Sequence, residues 1–323
     1  MSLRLKYLIK PATCLLRNNL QGQREFHRWV APTLRVLKKK KDSLGPEPPV
    51  NRSTFIEWNY NAEIYAFGKR LGEDFDQSAL KQALLDESYI KKLAKEQKSV
   101  GLEAETNIKS NMDMAEEGET LIQDYINKYL TTTLPYLPNK YIETIQEFLL
   151  STGTLAYVAN HIGINDLVLC EDFPPKEETL AVCLKSVIQA LALSSGLDRS
   201  SLFIRDFIVT QIATKDLSPM CTPDNPLEEL SQSLMERGMP PFEPRLISAI
   251  GKNSILANYE VGMYCDRQMI GRGCGESIEI AQDMAACDSL WRMWGVTPNK
   301  KPFPFDVRLS TNNNFRSKQL SAS

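Results

Sequence analysis

Residues 108–122 read Ile-Lys-Ser-Asn-Met-Asp-Met-Ala-Glu-Glu-Gly-Glu-Thr-Leu-Ile, and residues 181–204 read Ala-Val-Cys-Leu-Lys-Ser-Val-Ile-Gln-Ala-Leu-Ala-Leu-Ser-Ser-Gly-Leu-Asp-Arg-Ser-Ser-Leu-Phe-Ile. The second stretch carries Val182, Cys183 and a Val187, Ile188, Leu191 stripe, the spacing of a helix with one buried face. The first carries an acidic run, Asp113, Glu116, Glu117 and Glu119. A helix turns about 100° per residue, so such a run usually makes a solvated face. Working outward, the same period recurs over Trp58–Leu71, Ser78–Leu85, Thr120–Leu130, Lys140–Leu150, Leu155–Ile162, Glu178–Leu193 and Asp198–Ala213. Pro135 and Pro138 punctuate one gap. Few segments alternate with period two before residue 240, so residues 58–220 are predicted to form an all-α domain.

The pattern then changes. Pro219, Pro223 and Pro226 mark a linker, and a helix over Leu227–Arg237 is closed by Gly238. Strand-like runs follow at Arg245–Ile250, Asn258–Cys265 and Arg267–Gly273. Tyr259, Val261, Met263 and Cys265 alternate as a half-buried strand should. An Ala-rich helix, Ser277–Trp294, completes an α-β-β-β-α domain over residues 222–298.

The chain is 42% hydrophobic and 24% charged, the balance of a globular protein, and no run of 18 apolar residues suggests a membrane span. Seven scattered cysteines without a Cys-x-x-Cys pair, and only His27 and His161, give no zinc signature. The net charge of −2 hides an asymmetry: residues 1–41 hold 11 Lys or Arg and one acid, Glu25, leaving 27 bases against 39 acids beyond. Arg4, Lys6, Lys10 and Arg17, interleaved with Leu and Ile, match a mitochondrial transit peptide over residues 1–30. A basic, Pro-rich extension follows over 31–57. Its Lys38-Lys39-Lys40-Lys41 block suits phosphate contacts without sequence preference. The tail, 299–323, mixes Lys300, Lys301, Arg308, Arg316 and Lys318 with Phe303 and Phe305, a composition suited to lying on RNA or protein.

The two opening stretches resemble the signature helices of ribonuclease III, with Gly118, Leu121, Ile188, Ala190, Gly196 and Phe203 where that family has the same or similar residues. The resemblance places the family's metal-binding carboxylates at Met112, Ala115, Glu119, Val182 and Lys185. Four of these carry no acid, and Lys185 puts a cation where a carboxylate belongs. A hard divalent ion needs several oxygen ligands, so no metal and no cofactor is expected, and no small-molecule substrate is implied. A site rearranged onto Asp113, Glu116, Glu117, Glu177 and Glu178 is the alternative, though these acids point away from the expected face.

The C-terminal domain resembles a double-stranded RNA-binding domain through Gly271, Gly273, Gly275, Ser277, Ala281, Ala285, Ala286 and Leu290. That family grips phosphates with lysines at the start of its last helix; here Ile278, Glu279 and Gln282 stand there. Gln232 and the turn residues Lys252 and Asn253 remain candidates for RNA contact.

The combination is similar to the ribonuclease III-like proteins of the mitochondrial large ribosomal subunit. The stretches that carry this are 60–71, 202–208 and 261–266. The resemblance implies a structural constituent in the mitochondrial matrix, bound to ribosomal RNA and to neighbouring subunit proteins. An active double-strand-specific endoribonuclease, and a free RNA-binding assembly factor, are the other readings.

Overall fold

The computed structural model describes residues 32–45, 50–99, 109–252 and 254–297. The chain divides into two compact units, residues 1–50 and 51–323. In the first, a 13-residue helix, α1 (Pro32–Leu44), has no buried residue. Pro32 opens it, where the missing N–H costs nothing.

The second unit begins with helices whose ends obey simple capping chemistry. α2 (Tyr60–Leu71) starts at Asn59, whose side chain accepts from the Asn61 and Ala62 amides, and stops at Gly72 in the left-handed region. α3 (Gln77–Ala83) is capped by Asp76 through the Ala79 amide. α4 (Glu87–Ser99) buries no residue. Then come α5 (Met112–Thr133), α6 (Asn139–Leu150), α7 (Thr152–Ile162), α8 (Glu177–Ser195) and α9 (Leu197–Phe203). α8 is the central helix, packed by α3, α5, α7 and α9. Its Cys183, Leu184, Val187, Ile188 and Leu191 are wholly buried. It is long and apolar enough to cross a membrane by composition, but most of it faces this core.

The single helix expected over Asp198–Ala213 is instead broken. After α9 the backbone widens into a π turn, Ile204–Ile208, and then tightens into a 3-10 segment, Val209–Thr214. Ile204, Ile208, Val209 and Ile212 are all buried.

The C-terminal half has the expected order: α10 (Pro226–Glu236), β1 (Glu243–Ile250), β2 (Asn258–Cys265), β3 (Gln268–Gly275) and α11 (Ile278–Trp294). The sheet is antiparallel in the order β1-β2-β3. Val261, Met263 and Cys265 point to the core, as their alternation requires. β3 presses on α11 so closely that a Cβ on Gly273 would sit 2.2 Å from the Ala285 amide nitrogen. The small residues of both elements are therefore a packing requirement.

One core runs through both halves of this unit. The Tyr141 ring on α6 lies 4.9 Å from that of Trp294 on α11, and its hydroxyl donates to the Glu229 carboxylate on α10, 3.0 Å from either oxygen. Trp291 Nε1 donates to the Cys221 carbonyl at 3.1 Å, and Ser218 Oγ to that of Val296 at 3.0 Å.

Candidate functional site

The crossing of α5 and α8 brings the two signature stretches together. Gly118 makes the approach possible: a Cβ there would lie 2.1 Å from the Lys185 carbonyl oxygen. Around this point the sequence-derived positions take distinct places. Met112, in the first turn of α5, is 43% exposed, whereas Ala115 is 5% exposed against the core. Val182 is half-buried. Glu119 and Lys185 meet in an ion pair, Nζ to Oε2 3.0 Å, with Lys185 the more enclosed partner. Beside them Gln189 Nε2 donates to Glu117 Oε2. Asp113, Glu116, Glu177 and Glu178 are exposed.

Of the five positions one carries a carboxylate, and an ammonium already occupies it. Among the described residues no three His, Cys, Asp or Glu side chains cluster as a metal site would.

Three polar residues beneath the crossing were not singled out from sequence. Asn111, fully buried, donates from Nδ2 to the Ala83 carbonyl and to Cys183 Sγ, both at 3.4 Å. Its carbonyl accepts from Ser186 Oγ at 3.0 Å. Asn111 Oδ1 and Gln189 Oε1 are buried without a partner. Burial pushes the Cys183 thiol well above its usual range, with the Asp86 charge adding to it, so it is a neutral packing group and not a nucleophile. The interruption of an apolar stripe by Ser186 and Gln189 was the available sequence signal.

The RNA-contact candidates lie on separate elements. Lys38, Lys39, Lys40 and Lys41 are exposed on α1, in the first unit. Gln232 is exposed on α10, where its Nε2 donates to Glu236 at 3.3 Å. Lys252 is exposed in the β1–β2 turn. Lys300 and Lys301 lie outside the described residues, as does Asn253. At the start of α11, Ser277 caps the Ile280 amide at 3.2 Å, leaving Ile278 and Glu279 exposed and Gln282 half-exposed. Most cations of residues 222–297 are engaged: Arg245 with Glu243 at 2.8 Å, Arg272 with Glu260 at 3.9 Å, Arg292 with Asp288 at 2.9 Å, and Arg237 against the Tyr136 ring. The same residues hold 11 acids against six bases.

Residues 59–191 match the family model described as large ribosomal subunit protein mL44, endonuclease domain, and residues 221–323 match the MRPL44 dsRNA-binding domain. The large ribosomal subunit protein mL44 of Caenorhabditis elegans is 32% identical over 280 residues, spanning 85% of this chain and 70% of that one. The chain belongs to the mL44 family. Ribonuclease 3 of Mus musculus and of Homo sapiens are each 25% identical over 195 residues, 56% of this chain but 14% of theirs. Among solved structures, the nuclease domain of Campylobacter jejuni ribonuclease III is matched over 46% of this chain and 96% of that one, at 17% identity and a TM-score of 0.38. Dicer from Pichia stipitis is matched over 67% and 93%, at 13% identity and a TM-score of 0.35. In this mL44-family chain the α5–α8 crossing lies within the endonuclease match.

Proposed function

We propose that this chain is a structural constituent of the mitochondrial large ribosomal subunit that binds ribosomal RNA and neighbouring subunit proteins and does not cut RNA. One observation carries the reading. A ribonuclease III-like fold cleaves by holding divalent metal over the scissile phosphate, yet this crossing presents Met112, Ala115, Val182 and Lys185, and spends its one remaining acid, Glu119, on the 3.0 Å ion pair with Lys185. The name of the C. elegans relative, a large ribosomal subunit protein, supports the same conclusion.

The charge distribution suggests a division of labour. The acidic body suits contact with basic proteins. The RNA contacts fall to Lys38–Lys41 on α1 and to Lys300 and Lys301. Residues 1–30 supply the matrix address.

Sedimentation tests the reading directly. Tagged full-length protein should travel with the large subunit in a high-salt gradient; recovery at the top of the gradient would refute it. With Mg²⁺ or Mn²⁺ the purified chain should leave an RNA duplex intact. Metal-dependent cutting abolished by Glu119→Gln would establish the nuclease instead. Deleting residues 1–30 should leave the chain in the cytosol, and unchanged import would assign that arm to RNA binding.

A further inference from the structure

The registers place the β1–β2 loop and the start of α11 at one end of the sheet. Ile250 pairs with Asn258 at the loop, Ala249 with Tyr259, and Tyr259 in turn with Gly275, three residues before α11. This end is rich in unburied aliphatic side chains. Ile255 and Leu256 in the loop are 102% and 85% exposed, and Ile250, Ile278 and Ile280 stand beside them at 67%, 45% and 49%. Isolated exposed aliphatics are ordinary, but a group of them at one end of a module marks an interaction surface. Around them lie Glu276, Glu279 and Asp283, none in an ion pair among the described residues, against the one lysine, Lys252.

We infer that this end of the C-terminal half docks a protein segment that presents Leu, Ile or Val flanked by Lys or Arg. Two arguments select that chemistry. Among the described residues an RNA backbone meets no cation here beyond Lys252 and is repelled by three carboxylates; a helix N-terminus, which ordinarily favours anions, carries Glu279 in its own first turn. A protein with the complementary pattern gains on both counts. Its aliphatic side chains remove Ile255, Leu256 and Ile278 from water, and its cations meet the acidic rim, the apolar-centre, charged-rim anatomy of a specific interface.

The inference rests on the ribosomal reading, and its test separates the two. Full-length wild type, Ile255→Ser with Leu256→Ser, and Glu279→Lys with Asp283→Lys compete against untagged protein for incorporation into the large subunit. All four positions are solvent-facing, so thermal midpoints should match wild type. Both variants should incorporate about tenfold less well, the scale of losing one good interface anchor. The lysine pair is the sharper arm, because an RNA contact there predicts a gain where a basic protein partner predicts a loss. A photo-crosslinking amino acid at Leu256 should join the chain to a ribosomal protein within the particle. Undiminished incorporation of the lysine pair, or a crosslink to RNA or to a second copy of this chain, overturns the docking surface while leaving the ribosomal reading intact. Absence of the wild type from the particle overturns both.

Discussion

Gly118 sits where α5 crosses α8, and the obstacle facing it is backbone, the Lys185 carbonyl. In an exposed helix Gly→Ala stabilises by about 1 kcal/mol. Here the methyl group must push two core helices apart, and overpacking of that kind costs about 1–3 kcal/mol. Gly118→Ala should therefore lower the urea midpoint, and an unchanged or raised midpoint would show that the crossing is looser than described. Lys185→Ala should cost less than about 1 kcal/mol, because its pair with Glu119 is partly exposed. Cys287 supplies a pH test. It is 3% exposed, and burial, reinforced by Asp283, pushes its thiol up to about 11 from 9.0. The folded chain then keeps a proton that the unfolded chain releases, so this contribution to stability is complete below pH 9 and is lost as pH rises to 11. Denaturation midpoints should fall over that window, and Cys287→Ala should flatten the fall; an equal slope in both would assign it to other groups.

α1 and α4 show what an element needs in order to be read from sequence. Each is 13 residues long and buries nothing, and its few apolar residues, such as Ile90 and Leu93 in α4, lie too sparsely among lysines to stand out as those of α2, α6 and α8 do. The π turn at Ile204–Ile208 was hidden for the opposite reason: Ile204, Ile208 and Ile212 recur at the period of a regular helix and give no sign of a change in winding. The strands were legible because one side faces the core, and β2 begins and ends at the expected residues, Asn258 and Cys265. At the α5–α8 crossing the positions were legible through the resemblance, whereas the buried roles of Asn111 and Gln189 were not, since polar residues in a stripe read as its exposed edge until the crossing is known. α1 also carries the clearest electrostatic expectation. Replacing Lys38, Lys39, Lys40 and Lys41 with Gln removes four cations from exposed positions. In the full chain this should make the dependence of log affinity for ribosomal RNA on log salt shallower by about three units, less than one per phosphate contact. An unchanged slope would move the RNA contact off this helix.

Across residues 51–297 the two sequence-defined domains behave as one body, because the last helix of the second closes the core of the first. Trp294 is 3% exposed, its ring tilted at 41° and 4.9 Å from that of Tyr141, itself 2% exposed. The Tyr141 hydroxyl is bound by Glu229, and burial together with that carboxylate pushes its pKa far above the ordinary phenol value. The contact thus joins α6, α10 and α11 through one aromatic pair and one charge-assisted hydrogen bond. It also fixes the orientation of the sheet end bearing Ile255 and Leu256 relative to α5 and α8, which a component seated between fixed neighbours requires. Trp294→Ala empties the largest side chain at this junction, and such truncations cost about 3–5 kcal/mol, a large share of the roughly 5–15 kcal/mol that keeps a domain folded. Because the lost contacts lie between the halves, the loss should also be uneven. Amides of β1, β2 and β3 should exchange with solvent markedly faster, while those of α5 and α8, which pack most heavily on each other, keep most of their protection. Tyr141→Phe keeps the ring pair and removes the hydrogen bond, so it should show the same pattern at about 1 kcal/mol. Equal acceleration in all five elements would mean that the two halves unfold together and that the junction is one part of a single cooperative core.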